Sequence, residues 1–234
     1  MNFIKQTQDC IDRIREITNT AILFCSFGKD SLVLLDMLSK KFDKVICIFM
    51  YFVKDLEHID KYIRWAKAKY PNIEVEQMPH WNLTYILKSG MYCVPNPKIK
   101  LLKLNDIIRI AKKKHQIPYV FLGMKKADGL NRRLMLKTYD NYENKGNVYP
   151  LSDWSQKNVL TYIKQYKIPS PVRYSKNVSG GCGFNIDCYL FLQRHYPNDL
   201  QKILKAFPMS KKILIDHETR HNTNRNQNDK TFPN

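Results

Sequence analysis

The sequence predicts an α/β domain with a doubly wound, mostly parallel sheet, followed by a helical extension towards the C-terminus. Short apolar runs at residues 21–25 and 45–50 are typical of strands that are buried on both faces. Segments in which apolar residues recur at helical spacing separate these runs, so that strands and helices alternate. This alternation indicates βαβ units with right-handed crossovers, and it predicts a ligand site beyond the carboxyl ends of the strands.

The individual elements follow from the spacing of apolar residues and from the positions of proline and glycine. Helices are predicted over residues 3–18, 31–38, 56–70, 99–115, 155–166 and 187–207, the last with an interruption near Pro197. Strands are predicted over residues 21–25, 45–50, 73–77 and 119–122. We therefore expect an α/β domain over 1–154, a helical extension with a Cys182/Cys188 loop over 155–216, and a flexible polar tail over 217–234.

The composition excludes wholesale disorder but shows a large excess of positive charge. Of the 234 residues, 44% are hydrophobic and 26% are charged, and 39 Lys and Arg stand against 21 Asp and Glu, which gives a net charge of +18. Codon usage in an AT-rich genome would enrich lysine without any functional reason. A polyanionic partner, either RNA, DNA or a phosphorylated nucleotide, is the functional explanation.

The sequence also favours a soluble protein of a reducing compartment. The longest apolar run, residues 45–53, is far shorter than the roughly 20 residues that span a bilayer, and the first residues lack the apolar core of a signal peptide. The six cysteines form no CxxC pair and no pattern of a secreted disulfide framework. We therefore expect a cytoplasmic protein without a membrane partner.

A phosphate-binding loop is predicted where the first strand meets the following helix. Free backbone N–H groups at a helix start bind anions, and glycine lets the backbone approach a ligand closely. Asp30 is unusual in such a loop, and it would orient donors, hold a metal ion, or cap the helix. The alternative is that the loop is only a helix cap. The loop has the sequence SFGKDS and consists of Ser26, Phe27, Gly28, Lys29, Asp30 and Ser31.

Further polar residues follow two other predicted strands and face the same edge of the sheet. A basic cluster after residues 119–122 would bind a sulfate or a second phosphate, unless it is a solvated surface. His80 follows the strand at 73–77 and either contacts substrate or has a purely structural role. The cluster consists of Lys125, Lys126, Arg132 and Arg133.

A glycine-rich segment near residue 180 presents a candidate nucleophile. Glycines at 180, 181 and 183 surround Cys182, whose thiol would attack a sulfur centre if nearby cations lowered its pKa. Cys182 and Cys188 alone cannot supply the four thiolates of an iron–sulfur cluster. A two-cysteine metal site would need His195 or Asp187 to complete it, and we therefore predict no metal centre.

Three motifs carry a resemblance to a known family. SFGKDS resembles the SGGKDS pyrophosphate loop (PP-loop) of the adenine nucleotide alpha-hydrolase superfamily. Residues 123–132, GMKKADGLNR, resemble the GxRxxESxxR segment of phosphoadenosine phosphosulfate (PAPS) reductases, with Lys125 in place of Arg and Asp128 in place of Glu. PLSDWS at 150–155 resembles a further segment of PAPS reductases. A fourth segment, around Cys182, resembles one of phage and bacterial proteins with a PAPS reductase domain. The resemblance implies an adenine nucleotide, ATP or PAPS, bound at residues 26–31, in a bacterial or phage-infected cell.

Two chemistries are compatible with this resemblance. In the first, Cys182 attacks a sulfonucleotide and sulfite is released, while Lys125 and Arg132 bind the sulfate. In the second, ATP adenylates a substrate oxygen, with Mg²⁺ at Asp30, and sulfur or an amine then displaces AMP. The chain departs from the family pattern because no cysteine follows Cys188, because Asn185 replaces a cysteine, and because Met50-Tyr51-Phe52 replaces an Asp-Thr-Gly segment. A protein that keeps the fold and only binds nucleotide or nucleic acid is the alternative.

Overall fold

A computed structural model describes residues 2–169, 174 and 182–228, and its centre is a six-stranded sheet. The strands are β1 Thr20–Phe24, β2 Lys44–Tyr51, β3 Ile73–Pro79, β4 Val120–Leu122, β5 Glu143–Asn144 and β6 Asn147–Val148. The helices are α1 Asn2–Arg15, α2 Lys29–Ser39, α3 Glu57–Lys69, α4 Trp81–Ser89, α5 Leu104–His115, α6 Leu130–Lys137, α7 Gln156–Gln165, α8 Ile186–His195, α9 Pro197–Ala206 and α10 Lys212–Asn228.

The sheet is doubly wound, as the sequence predicts. Its strand order is β3-β2-β1-β4-β6-β5, and every neighbouring pair is parallel except the hairpin of β5 and β6. From β1 the chain moves outward through β2 to β3, and it then returns to the opposite side of β1 with β4. The strand order therefore reverses between β1 and β4, which is the position where open α/β sheets bind ligands.

Two hydrophobic cores cover the two faces of the sheet. Alternate residues of β1 point to opposite faces, so that Leu23 joins the core formed with α2, α3 and α7, while Ile22 joins the core formed with α5. Both of these side chains are completely buried. The strands are thus apolar on both faces because helices pack on both sides of the sheet.

A buried carboxylate fastens α7 to α2. Asp36 is only 2% exposed and accepts hydrogen bonds from the hydroxyls of Tyr70 and Tyr162, each at 2.8 Å, and it pairs with Lys40 at 2.6 Å. Burial and the hydrogen bond to Asp36 hold the pKa of both tyrosines well above the usual range, so the hydroxyls stay protonated and donate.

The sequence prediction missed helices α4 and α6 and the hairpin of β5 and β6. The hairpin strands are two residues long and carry no alternating pattern that could reveal them. Their turn places Lys145 at φ 52° and Gly146 at φ 76°, and a Cβ atom at position 146 would overlap the carbonyl oxygen of Pro118. Helix α7 is capped by Ser155, which accepts from the Asn158 amide at 3.1 Å.

The C-terminal region consists of three helices. The predicted helix at 187–207 is divided into α8 and α9 at Pro197, and α10 then extends to Asn228, into the residues expected to form a polar tail. Ile213 and Leu214 pack on the core in the first turn of α10, and a helix that has been nucleated in this way elongates with one hydrogen bond per residue. Residues 229–234 lie outside the described residues. In the part of the chain that the structure describes, no helix has the length and apolarity needed to cross a membrane.

Candidate functional site

A cleft of about 580 Å³ opens at the carboxyl edge of the sheet, between the ends of β1 and β4. It lies at the position where the strand order reverses, as the sequence predicts. Of the residues proposed from the sequence, the cleft is lined by Ser26, Gly28, Asp30, Ser31, His80, Arg132 and Cys182. Its lining is completed by Phe24, Cys25, Ile48, Met50, Phe52, Trp81, Leu104, Leu122, Gly123 and Met124.

The loop after β1 leaves the start of α2 without a side-chain cap. Gly28 occupies the N-cap position, so that neither a serine nor an aspartate caps the helix from there. The Ser26 hydroxyl accepts from the Gly28 amide at 3.3 Å, and the Ser31 hydroxyl donates to the Gly28 carbonyl at 2.9 Å. These bonds fix the turn, and the first-turn amides of α2 remain available to an anion in the cleft.

Phe27 has an unusual backbone conformation in this loop. Its φ of 54° lies in the left-handed region, which is disfavoured for an aromatic residue and which glycine, its counterpart in the SGGKDS pattern, adopts freely. The Phe27 side chain points away from the cleft into the core, where its ring centroid lies 5.8 Å from that of Phe49. Core packing of the ring therefore holds the backbone in a conformation that glycine would supply without strain.

A network of alternating charges joins the loop after β1 to the loop after β4. The Lys125 ammonium lies 2.7 Å from Asp30 Oδ1 and 2.9 Å from Asp128 Oδ1, and its side chain is only 1% exposed. The second oxygen of Asp30 pairs with Lys29 at 2.9 Å, and that of Asp128 pairs with Arg132 at 2.7 Å. We call these five residues the Asp30–Arg132 network. It has three cations and two carboxylates, so that one positive charge remains beside the cleft.

The network explains why an aspartate is compatible with an anion site. Burial opposes ionisation of Asp128, but hydrogen bonds from the Lys125 side chain and backbone, and the charges of Lys125 and Arg132, keep its pKa below the usual value. Both oxygens of Asp30 face ammonium groups, so Asp30 does not fit the role of a magnesium ligand. Sequence reasoning missed Asp128 as the link between Lys125 and Arg132, although opposite charges at one sheet edge could have revealed it.

The basic residues predicted to bind a sulfate separate into different environments. Arg132 lines the cleft with 49% of its side chain exposed, whereas Lys125 is buried behind the loop between Asp30 and Asp128. Lys126 pairs with Asp153 at 2.7 Å, and Arg133 is exposed on α6. Of the site residues predicted from the sequence, those that do not line the cleft are Phe27, Lys29, Lys125, Lys126 and Arg133.

Aromatic side chains form the part of the cleft wall that follows the ends of β2 and β3. The His80 ring lies 4.6 Å from Phe52 and 5.4 Å from Trp81, measured between ring centroids. His80 also caps α4, because its Nδ1 accepts from the Asn82 amide at 3.1 Å. Burial lowers the pKa of His80, so the ring is neutral near pH 7 and carries its proton on Nε2.

Cys182 lies on the cleft wall next to a second cysteine. Its Sγ is 3.1 Å from the Sγ of Cys188, which is completely buried in the first turn of α8. The hydrogen bond with Cys188 and burial raise the pKa of Cys182, which differs from the lowering by cations that the sequence suggested. Asn185 caps α8 by accepting from the Cys188 amide at 2.9 Å, so its role is structural. The glycines at 180 and 181 lie outside the described residues.

A metal centre is not assembled from the residues that the structure describes. Over 2–169, 174 and 182–228, no three or more histidine, cysteine, aspartate or glutamate side chains are grouped to hold a metal ion. The two-cysteine site that the sequence left open, with His195 or Asp187 as a further ligand, does not form among these residues.

Comparisons with known proteins identify the family. Two solved structures are similar: a PAPS reductase from Candida auris in complex with phosphate (18% identity, 70% of this chain and 81% of that chain covered, TM-score 0.46), and an NH₃-dependent NAD synthetase from Campylobacter jejuni subsp. jejuni in complex with nitrate (15% identity, 92% and 94% covered, TM-score 0.49). A search of curated proteins gave no match. The family model of the phosphoadenosine phosphosulfate reductase domain matches residues 20–183. Since this match spans most of the chain, the protein belongs to the phosphoadenosine phosphosulfate reductase domain family.

Proposed function

We propose that the protein is an enzyme that binds an adenine nucleotide, PAPS or ATP, in the cleft between β1 and β4. The observation that carries this proposal is the uncapped start of α2, whose amides border the cleft beside one uncompensated positive charge. The phosphates of the nucleotide bind there, because free N–H groups and the helix dipole favour an anion. Arg132 reaches the same anion from α6 and binds it with a planar pair of donors.

The aromatic wall supports binding of the base. Phe52, His80 and Trp81 line the cleft after the ends of β2 and β3, and their rings lie against one another there. A purine stacks on such surfaces at about 1–3 kcal/mol per base. Met50 and Phe52 replace the polar segment that family members often carry after the second strand, so stacking and apolar contact take the place of hydrogen bonds to the ribose.

Among the two chemistries, the side chains of the cleft favour reaction of a thiol with a sulfonucleotide. Cys182 supplies a thiol on the cleft wall, and its sulfur would attack the sulfonyl sulfur of PAPS and displace the nucleotide phosphate. The ATP-dependent alternative needs Mg²⁺ beside the phosphates, and Asp30 is already engaged by Lys29 and Lys125. Lys125 acts here as a positioning residue, because it holds Asp30 and the loop and does not line the cleft.

Titration calorimetry with PAPS, ATP and AMP tests the binding site. The wild-type protein should bind, and Arg132→Ala should weaken the affinity for PAPS roughly tenfold, because a charge-assisted contact contributes about 1.5–3 kcal/mol. Arg133→Ala is the matched control, since it removes the same charge from the neighbouring position outside the cleft, and we expect less than about a twofold change. Absence of heat with every nucleotide would disprove the proposal.

Product analysis tests the chemistry. With PAPS and dithiothreitol as the two-electron reductant we expect sulfite and adenosine bisphosphate, and Cys182→Ser should abolish both while nucleotide binding persists. Pyrophosphate from ATP with any acceptor would instead support adenylation. Nucleotide binding without a product would favour the non-catalytic alternative, in which the net charge of +18 serves binding of RNA or DNA.

A further inference from the structure

Two thiols approach each other closely at the wall of the cleft. The sulfurs of Cys182 and Cys188 are 3.1 Å apart, and a disulfide bond needs about 2.05 Å, so a shift of about 1 Å would join them. Cys182 lies in the segment before α8, where Gly183 follows it, and Cys188 lies in the first turn of that helix. Cys182 thus lies on a loop next to a glycine, and the freedom of the glycine backbone permits the sulfurs to approach each other.

The two cysteines differ in access. Cys182 borders both the large cleft and a small apolar cavity of about 20 Å³ beside Phe52 and Phe184, whereas Cys188 is completely buried. The other cysteines, at positions 10, 25, 47 and 93, are all buried. A reagent in the cleft therefore meets the Cys182 sulfur first and reaches Cys188 only through it.

We propose that Cys182 and Cys188 form a redox-active dithiol that closes reversibly to an intramolecular disulfide. Cys182 is the thiol that reacts with an incoming oxidant, and Cys188 is the thiol that resolves the product. Oxidation removes the free thiol from the cleft wall, and reduction restores it.

The hydrogen bond from the Cys182 thiol and the donor groups of Gly183 and Tyr174 lower the pKa of Cys188 against the opposing effect of burial, which suits Cys188 as the resolving thiol. The same hydrogen bond and burial raise the pKa of Cys182. Access from the cleft, and not a lowered pKa, therefore makes Cys182 the thiol that an oxidant meets, and Cys182 becomes the attacking thiolate when its proton moves to Cys188.

The reaction with a disulfide oxidant balances as follows. The Cys182 thiolate attacks one sulfur of the oxidant, a mixed disulfide forms, and one thiolate leaves. Cys188 then loses its proton to that thiolate, attacks the Cys182 sulfur and expels the second thiolate, which takes up a proton from water. Two protein thiols are oxidised to one disulfide, and the oxidant is reduced to two thiols.

The same pair accounts for the electrons of the proposed sulfonucleotide reaction, and this step alone rests on the proposed function. Attack of Cys182 on the sulfonyl sulfur gives a thiosulfonate on Cys182 and releases the nucleotide. Attack of Cys188 on the Cys182 sulfur then expels sulfite. The sulfonyl sulfur gains two electrons, and the two cysteines lose them as they form the disulfide.

The test is to equilibrate the full-length protein with oxidised glutathione, alkylate the free thiols and map the peptides by mass spectrometry. We expect a peptide pair linked through Cys182 and Cys188 that has lost two hydrogen atoms and is reversed by dithiothreitol. Cys93→Ser removes a buried cysteine elsewhere and should keep the link. Cys188→Ser should instead accumulate glutathione on Cys182, because no resolving thiol is present.

Two results would overturn the proposal. One is a wild-type protein whose Cys182 and Cys188 are both alkylated after full equilibration. The other is glutathione retained on wild-type Cys182 beside a free Cys188. No nucleotide is present in this assay, so its outcome is independent of nucleotide binding. A second assay uses PAPS and reduced protein from which small thiols have been removed. We expect one sulfite for each Cys182–Cys188 disulfide that forms. Release of sulfite without this disulfide would exclude Cys188 as the resolving thiol.

Discussion

Helices α2 and α3 both begin with backbone N–H groups that have no partner within the helix, but the two starts differ in what lies next to these groups. At α3, the amides of Glu57 and His58 donate to the two oxygens of Asp199, at 2.8 and 3.0 Å, and Asp199 is completely buried. At α2, Gly28 provides no cap, and the first-turn amides border the open cleft. One helix start is thus closed by a carboxylate of the protein itself, and the other is left for a ligand.

The orientation of the nearby acidic side chains explains the difference. Asp199 approaches α3 from the first turn of α9 and is held by His58, whose Nδ1 donates to it at 2.7 Å while Nε2 lies 3.0 Å from the Tyr174 hydroxyl oxygen. Asp30 lies in the first turn of α2 itself, but Lys29 and Lys125 turn its carboxylate away from the amides. The comparison shows that a helix start is open to an anion when no side chain caps it and when any nearby carboxylate is paired with a cation.

The largest expected effect is at the closed helix start. Asp199→Ala leaves two amides and His58 without their acceptor in a dry environment, and we expect a loss of roughly 3–5 kcal/mol in the free energy of unfolding. Urea denaturation measures this loss. Asp216→Ala is the control, because Asp216 is a half-exposed partner of Lys212, and its effect should stay within about 0.5 kcal/mol. Equal effects of the two substitutions would show that Asp199 is not the cap of α3.

The next effect concerns the open helix start. Lys125→Met leaves Asp30 and Asp128 facing each other without the cation between them, and it removes the net positive charge of the Asp30–Arg132 network. We expect at least about a tenfold weaker affinity for ATP and PAPS in calorimetry. Lys126→Met is the matched control, since Lys126 pairs with Asp153 outside the cleft, and its affinity should remain near that of the wild type. A larger loss of nucleotide affinity in Lys126→Met than in Lys125→Met would contradict the role assigned to Lys125.

The smallest effect is a pH dependence of stability from His58. Burial lowers the pKa of folded His58 from its ordinary value of 6.5, and the hydrogen bond and charge of Asp199 only partly oppose this. Below pH 6.5 the unfolded chain therefore binds a proton that the folded protein does not bind, and stability falls as the pH decreases. Thermal unfolding at pH 7.5 and 5.5 should show a lower midpoint at pH 5.5. In the His58→Asn variant the difference between the two midpoints should be smaller. An unchanged difference would show that other titratable groups cause it.

The sequence predicted the sheet edge that carries the site because local patterns determine it. The apolar runs that became β1 and β2 and the glycine-containing turn at Gly28 are local signals, and they predicted an anion site beyond the carboxyl ends of the strands, where the structure has the cleft. The motifs at residues 26–31 and 123–132 supplied the family resemblance, which the match over residues 20–183 confirms.

The sequence failed where long-range contacts decide the structure. Asp199 caps a helix that begins 142 residues earlier, and no local pattern predicts such a contact. The burial of Lys125 also depends on Asp30 from another loop, so that a residue predicted to face the ligand lies behind the loop. The two-residue strands β5 and β6 likewise depend on pairing and on a turn with two positive φ angles.

The position of Cys182 has a consequence for how such a cleft can change in evolution. The loop after β1 contributes the open helix start that would bind the phosphates of the proposed nucleotide, and the segment ahead of α8 contributes a sulfur to the wall of the same cleft. These two contributions come from separate stretches of the chain. Under the proposed function, substitutions around Cys182 would therefore change or abolish the reactivity of the cleft without altering the part that binds the phosphates.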